Sequence, residues 1–503
     1  MPNSDSLSAP ALVLRTLGQS QTTEQDLPPE RRVFVNRNLR LQTIDLVGFD
    51  MDYTLATYRQ SMLNELSVRL TIERLIARGY PPRIAEFAYP LERSIRGLVI
   101  DLPLGNVFKM DAHGHVGRVY HGSRAIPKEE RAAHYRVERI KLSADRYACV
   151  DSLFALCEVA IFLRLVDFFE DSGQLDAPRL WQDVRDSIDE AHRDGSLKSI
   201  ICADFPAYLE EDPDLPAMLH RFRSAGKRLF LCTNSLWPNT DAVMKHTLDG
   251  KLARYPSWRQ YFDIVVVGAE KPAFFTDRRP FLEIDERTGE PVGPVDGPFR
   301  RGRIYQGGNH ADFERLSGAG GDRVLYIGDH IYGDILRAKK SSVWRTALIV
   351  RDIEDEVATA RRCADQIALR DHLEQGLRAL DARIDLAQLA IKALSRLPEE
   401  DGAERLGVPI ATARREVTDY LEVLRRAYRQ DAEALDALEE ALDRSFNPYW
   451  GPLFKEDREK SRFGEQVERY ACVYTARVSN FLGYSPMAYF RPPRDLMPHE
   501  LPD

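Results

Sequence analysis

The chain has 503 residues, too many for one simple core, and its 44% hydrophobic and 29% charged content is that of a globular protein with two or three domains. A formal net charge of −8, with both signs spread along the chain, argues against a sequence-independent nucleic-acid binder, which needs a basic excess. Six scattered cysteines form no C-x-x-C pair and no disulfide-framework spacing, so a reducing, cytoplasmic setting is expected.

In chain order, residues 1–32 read as a loosely ordered leader: they are polar and lack an apolar run behind a basic start. "TIDLVGF" (43–49) is the first of five short apolar runs, followed by "RLFLC" (228–232), "DIVVVG" (263–268), "RVLYIG" (323–328) and "RTALIV" (345–350). Near-continuous apolar strands separated by helical patterns predict a doubly wound, parallel α/β sheet covered on both faces. The core is expected at 33–60 and 216–351. The long gap after the first strand predicts a large, mainly helical cap insert at 61–215, with one hairpin turning at "DAHG" (111–114). Its most apolar run, "LFALCEVAIFLRLVDFF", contains Glu158 and Arg164, so a buried helix is expected and not a membrane span. Residues 352–503 read as a helical C-terminal region, rich in Ala, Leu, Glu and Arg at helical spacing.

In open α/β sheets, ligands bind beyond the carboxyl ends of the strands. Directly after the apolar runs stand Asp50, Asp52 and Thr54; Thr233, Asn234 and Ser235; Glu270 and Lys271; and Asp329, His330 and Asp334. Three carboxylates converging on one pocket cannot all stay ionised without a cation, and oxygen donors beside a phosphate suit Mg²⁺. One acid could attack phosphorus, and a second, two residues on, could protonate the leaving oxygen. Each element taken alone has a plainer reading as a turn or a helix cap. The conjunction, in this order and each after a strand, points to phosphoryl chemistry. No P-loop pattern and no tandem Cys ligand pairs accompany it.

That order resembles the motif set of the haloacid dehalogenase superfamily: "DMDYT", "TNS", Lys271 and "GDHIYGD". The resemblance implies Asp50 as nucleophile and Asp52 as general acid/base, with Thr233, Asn234 and Lys271 around the phosphate. It implies Mg²⁺ on Asp50, Asp329 and the backbone carbonyl of Asp52, with Asp334 as a supporting acid. "FVNRNLRLQTIDLVGFDMDYTLATY", "LTIERLIARGYP", "WQDVRDSIDEAHRDGSLK", "LYIGDHIYGDILRAKK" and "LMPHE" look like the cytosolic purine 5′-nucleotidases, which prefer inosine and guanosine monophosphates.

Arg185, Asp189 and His192 fall at i, i+4 and i+7, a polar helical stripe that by itself could be a solvated face. The resemblance gives Arg185 and Asp189 to the edge of a purine base and Phe154 to its face, with His192, Lys198 and Ser235 around the nucleotide. It also implies a purine nucleotide effector site at Tyr332 and Lys340, where Lys141 stands for an arginine and Asp151 for an asparagine. A homo-oligomer is expected on the same ground. Two alternatives stay open: a phosphatase for another monoester, and a catalytically idle nucleotide-binding scaffold.

Overall fold

The computed structural model describes residues 27–136, 140–142, 144–336, 338, 342–398 and 404–492. The expected "LMPHE" block and Lys340 lie outside them. The chain divides into two compact units: one holds residues up to Glu354 together with Leu453 onwards, the other is Asp355–Pro452.

The first unit is built on a ten-stranded sheet. Seven strands run parallel, in the spatial order Val473–Thr475, Arg345–Ile349, Val324–Gly328, Leu46–Phe49, Arg228–Cys232, Ile264–Val267 and Ile304–Gly307. Antiparallel strands close both edges. From Leu46–Phe49 the chain builds outward to one side through residue 307, then returns to build the other side from Val324. The Leu46–Phe49 and Val324–Gly328 strands therefore flank the topological switch point, where such sheets open a crevice at their carboxyl ends. All four residues of the first strand are buried, as a central parallel strand requires.

Gly48 is set by a close approach. A Cβ there would lie 2.0 Å from Phe230 Cζ, and the Phe230 ring is itself packed on Phe313, Tyr326 and Trp344. Gly48→Ala is therefore expected to destabilise the protein by about 1–3 kcal/mol through overpacking, read as a lowered denaturant midpoint. An unchanged midpoint would mean that the ring moves freely.

The insert is more mixed than its sequence suggests. The hairpin Asn106–Met110 with Val116–His121 is present, but it is the centre of a five-stranded antiparallel sheet completed by Val99–Asp101, Arg124–Ala125 and Tyr147–Cys149. The added strands are two or three residues long, too short for alternation to be visible. Helices Gln60–Ala77, Leu156–Asp171, Ala177–Arg193 and Ser196–Ala203 make up most of the rest. Ala177–Arg193 starts at an Asp176 cap, which accepts from Arg179 N at 3.2 Å, and has a proline in its first turn. It buries Leu180, Trp181, Val184, Ile188 and Ala191, leaving Arg185, Asp189 and His192 on the neighbouring stripe.

The second unit is an antiparallel helical hairpin, Ala364–Leu394 and Ile410–Phe446, packed through Ile384, Ala387, Leu421 and Leu424. The region after residue 352 is thus not one helical body. From Leu453 the chain belongs to the first unit, and Val473–Thr475 becomes a parallel strand beside Arg345–Ile349. Three residues of strand carry no readable period, and their partner lies more than a hundred residues away. Among the described residues no helix is long and apolar enough to cross a membrane.

Candidate active site

The strand ends at the switch point bring Asp50, Lys271, Asp329 and Asp334 together. Lys271 Nζ lies 2.8 Å from Asp50 Oδ1 and 2.7 Å from Asp334 Oδ1, and it donates to Tyr326 Oη at 2.7 Å. Tyr326 Oη in turn donates to Cys232 O at 2.9 Å. Asp334 Oδ2 accepts from His330 N at 3.2 Å, and its carboxylate sits where a Cβ on Gly328 would be, at 2.5 Å. Glycine is therefore required at the end of that strand.

Asp50, Asp329 and Asp334 each place a carboxylate oxygen within 4.8 Å of the others. Three acids with one lysine leave a buried excess of negative charge. The consequence is electrostatic: burial, opposed by Lys271 and reinforced by Asp334 and Asp52, pushes Asp50 up to about 7. Burial, with Asp334 and Asp50 adding to it, raises Asp329 well above the carboxylate range. Burial works against the charge of Lys271, but Asp334 and Asp50 outweigh it and hold the ammonium above the usual lysine value. An all-oxygen donor set with uncompensated charge fits a hard divalent cation such as Mg²⁺.

Asp52 is held apart from this cluster. Its Oδ2 accepts from Ser235 Oγ at 2.9 Å and its Oδ1 from Tyr58 Oη at 2.7 Å. The two acids of "DMD" thus sit in different environments, which is what two different protonic roles need. Tyr53, next to Asp52, has φ +56°, a left-handed conformation that is uncommon for a bulky side chain.

The second motif acts through structure more than the resemblance implies. Thr233 is fully buried, and its Oγ1 accepts from Ser235 N at 3.1 Å. Asn234 clamps the Lys271 backbone from both sides: Nδ2 donates to Lys271 O at 2.9 Å, and Oδ1 accepts from Lys271 N at 2.6 Å. Ser235, expected beside the substrate, orients Asp52 and is itself bonded by Asn239 Nδ2 at 3.3 Å.

Above Asp52 the cap supplies an aromatic box. Phe154 makes edge contacts with Tyr53, Tyr58 and His192, at centroid distances of 4.8, 6.0 and 5.5 Å. Burial and the Lys198 charge hold the His192 imidazole below its usual value, while Asp189 and Asp52 pull it back up. Arg185 is not in a solvated pair with Asp189. Its Nε lies 3.4 Å from Glu158 Oε2, on a carboxylate buried in the Leu156–Asp171 helix. Burial pushes Glu158 up to about 7, against the pull of Arg185. Asp189 itself is exposed.

Of the implied effector residues, Tyr332 is 39% exposed and so is not core packing, and Lys141 is exposed. Asp151 is half-buried; burial raises its carboxyl, while His330, Arg462 and Arg96 pull it back.

Sequence reasoning missed Tyr58, Tyr326, Arg96 and Glu158. Arg96, 1% exposed, is ion-paired with Asp352 and donates to Asp329 O at 3.4 Å. Only the charge of Glu158 inside an apolar run could have marked its site; Tyr326 looks like any core aromatic in a strand.

A family model described as the 5′ nucleotidase family matches residues 33–502. The chain is 28% identical over 477 residues to a 5′-nucleotidase domain-containing protein of Dictyostelium discoideum, covering 93% of this chain and 74% of that protein. It is 30% identical over 508 residues to 5′-nucleotidase domain-containing protein 2 of Homo sapiens, covering 97% and 90%. A solved structure described as a predicted phosphoglycolate phosphatase from Haemophilus somnus aligns at 13% identity and a TM-score of 0.26, over 61% of this chain and 86% of that one. An alignment at that score carries no weight.

Proposed function

The chain belongs to the 5′ nucleotidase family, and from that premise we propose that it hydrolyses purine nucleoside 5′-monophosphates of the 6-oxo type through an aspartyl-phosphate on Asp50. The observation that carries this reading is the division of the acid pair: Asp50 lies against Lys271, while Asp52 is held by Ser235 and Tyr58.

In this reading an Asp50 oxygen attacks phosphorus as the ester bond to the nucleoside 5′-oxygen breaks. Asp52 gives its proton to that leaving oxygen, then takes a proton from the water that cleaves the acyl phosphate, regenerating Asp50. Ser235 and Tyr58 hold the Asp52 carboxylate in one orientation through both steps. Lys271 faces the developing charge on the phosphoryl oxygens, positioned by Asn234, Asp334 and Tyr326. Asp50, Asp329 and the backbone carbonyl of Asp52 would hold Mg²⁺, with Asp334 as a supporting acid beside them, and the ion when bound supplies charge neutralisation for the phosphoryl group. Capture of the acyl phosphate by a nucleoside in place of water would give phosphotransfer. The base would lie in the Phe154–His192 box, with its edge toward Arg185 and Asp189 and with Lys198 beside the nucleotide.

The test is a panel of nucleoside monophosphates and other phosphate monoesters, assayed for phosphate release with Mg²⁺. Turnover confined to non-nucleotide esters would replace this reading with that of another phosphatase, and no turnover at all with that of a scaffold. Chelation of the metal is expected to lower activity by about a hundredfold or more, restored by added Mg²⁺. Activity indifferent to chelator would sink the metal assignment.

Exposed Tyr332 suits a stacking face for a purine nucleotide effector, with Lys141 and Asp151 as further candidates. All six cysteines are free, which suits a cytoplasmic setting. A homo-oligomer belongs to the same reading, and sedimentation would test it.

A further inference from the structure

Two elements of the cap face each other across the aromatic box. Phe154 and Glu158, four residues apart, lie opposite Arg185 and His192 on the Ala177–Arg193 helix, as Phe154 meets His192 at 5.5 Å and Glu158 meets Arg185 at 3.4 Å. His192 and Arg185 are separated by about 10 Å along their helix, at 1.5 Å per residue. The ring pair stands at the end nearer Asp52, whose charge is felt at His192. The ion pair stands at the far end, where the base would lie in a nucleotide whose phosphate is seated against Asp50.

The geometry of that ion pair is one-sided. Glu158 is 5% exposed, whereas the Arg185 side chain is 39% exposed and leans over the Trp181 ring at 5.9 Å. Arg185 meets Glu158 through Nε, and among the described residues its Nη atoms have no protein partner. Glu158 Oε2 is buried without a hydrogen bond that meets normal geometry. A carboxylate is costly to bury in an apolar helix, and a half-exposed arginine offsets little of that cost. Fold stability therefore gives no reason for an acid here, whereas a need to fix the guanidinium does.

We propose that Glu158 is the positioning residue of the base subsite: it holds the Arg185 guanidinium so that its Nη–H groups face the far end of the box and select a base edge bearing acceptors. This rests on the nucleotidase reading and deepens it. A 6-oxopurine offers O6 and N7 as adjacent acceptors, the pair an arginine fork matches. A 6-aminopurine puts a donor in place of O6 and meets the same N–H groups badly. Without Glu158, Arg185 can rotate into water, and the preference goes with it.

The experiment is steady-state kinetics of the wild type, Glu158→Leu and Glu158→Gln with inosine and adenosine monophosphates and Mg²⁺, alongside thermal unfolding. Where adenosine monophosphate turns over too slowly, its affinity is read as an inhibition constant. Glu158→Leu is expected to raise KM for inosine monophosphate about tenfold, with kcat and the adenosine monophosphate constants little changed and Tm equal or higher. Glu158→Gln, which keeps an acceptor but not the charge, should fall between, and it serves alone if the leucine variant does not fold. A merely structural glutamate would instead lower Tm and weaken both nucleotides together. That outcome, or an unchanged ratio between them, overturns the inference and leaves the nucleotidase reading intact, as does a wild type that does not prefer the 6-oxo base. A wild type that hydrolyses no nucleotide overturns both.

Discussion

Asp50→Asn is expected to cut turnover of inosine monophosphate about a thousandfold or more, because the amide has no oxygen able to form the acyl phosphate. Folding should survive. The asparagine keeps the shape of the residue and can still accept from Lys271, which lies 2.8 Å from Asp50. It also removes one of three carboxylates from a cluster in which burial, added to by the neighbouring acids, pushes Asp50 up to about 7. In metal-free buffer the variant should therefore be as stable as the wild type, or more so. Steady-state phosphate release and thermal unfolding check the two halves separately. More than about a tenth of wild-type turnover would remove Asp50 from the nucleophile role, since loss of a covalent nucleophile costs powers of ten.

Lys271→Met should damage both activity and fold. The lysine side chain is 3% exposed and bridges Asp50, Asp334 and Tyr326, so methionine fills its volume but leaves two carboxylates facing each other without it. Removing one partner of a buried ion pair typically costs about 3–5 kcal/mol, because the remaining charge is stranded. The pH dependence has a definite sign. Losing Lys271 removes what lowers the Asp50 pKa, so the folded variant binds protons at a higher pH than the unfolded chain does. Its stability must then fall as pH rises through that window. Because the wild-type carboxyl already sits at about 7, the gap from Asp50 should be small below neutral pH, where the group is protonated in both proteins, and should widen as pH rises above it. Denaturant unfolding across pH with chelator present measures this, and a gap independent of pH would contradict the electrostatic account. Under the proposed mechanism turnover should be lost as well, because Lys271 is the cation expected to face the phosphoryl oxygens.

Both predictions concern residues whose neighbourhood is legible in the sequence alone. "DMDYT", "TNS", Lys271 and "GDHIYGD" each follow an apolar run, and a parallel sheet places every such position on one edge. The roles within the set were less legible. Ser235 reads as a substrate ligand from its motif, yet its hydroxyl donates to Asp52; Asn234 reads as a phosphate contact, yet both ends of its amide are taken by the Lys271 backbone. A strand end fixes where a side chain starts, not which neighbour it meets.

The sequence by itself determined the parallel core, the location of the insert and the edge on which the acids converge, because each follows from local hydrophobic period and from spacing along the chain. Tertiary structure alone decided what those residues face. The Val473–Thr475 strand finds its partner across the whole helical hairpin unit, and Arg345–Ile349 supplies the hydrogen bonds that its three residues cannot advertise. Glu158 sits in a run read as plain core, and only the packing of one cap helix on another brings Arg185 to it. Tyr326 is one more aromatic in a strand until Lys271 arrives from a different strand end, 2.7 Å away. Period and spacing are properties of neighbours along the chain; a hydrogen bond or an ion pair between distant segments is set by where the sheet and the cap bring them, and one sequence carries no direct record of that pairing.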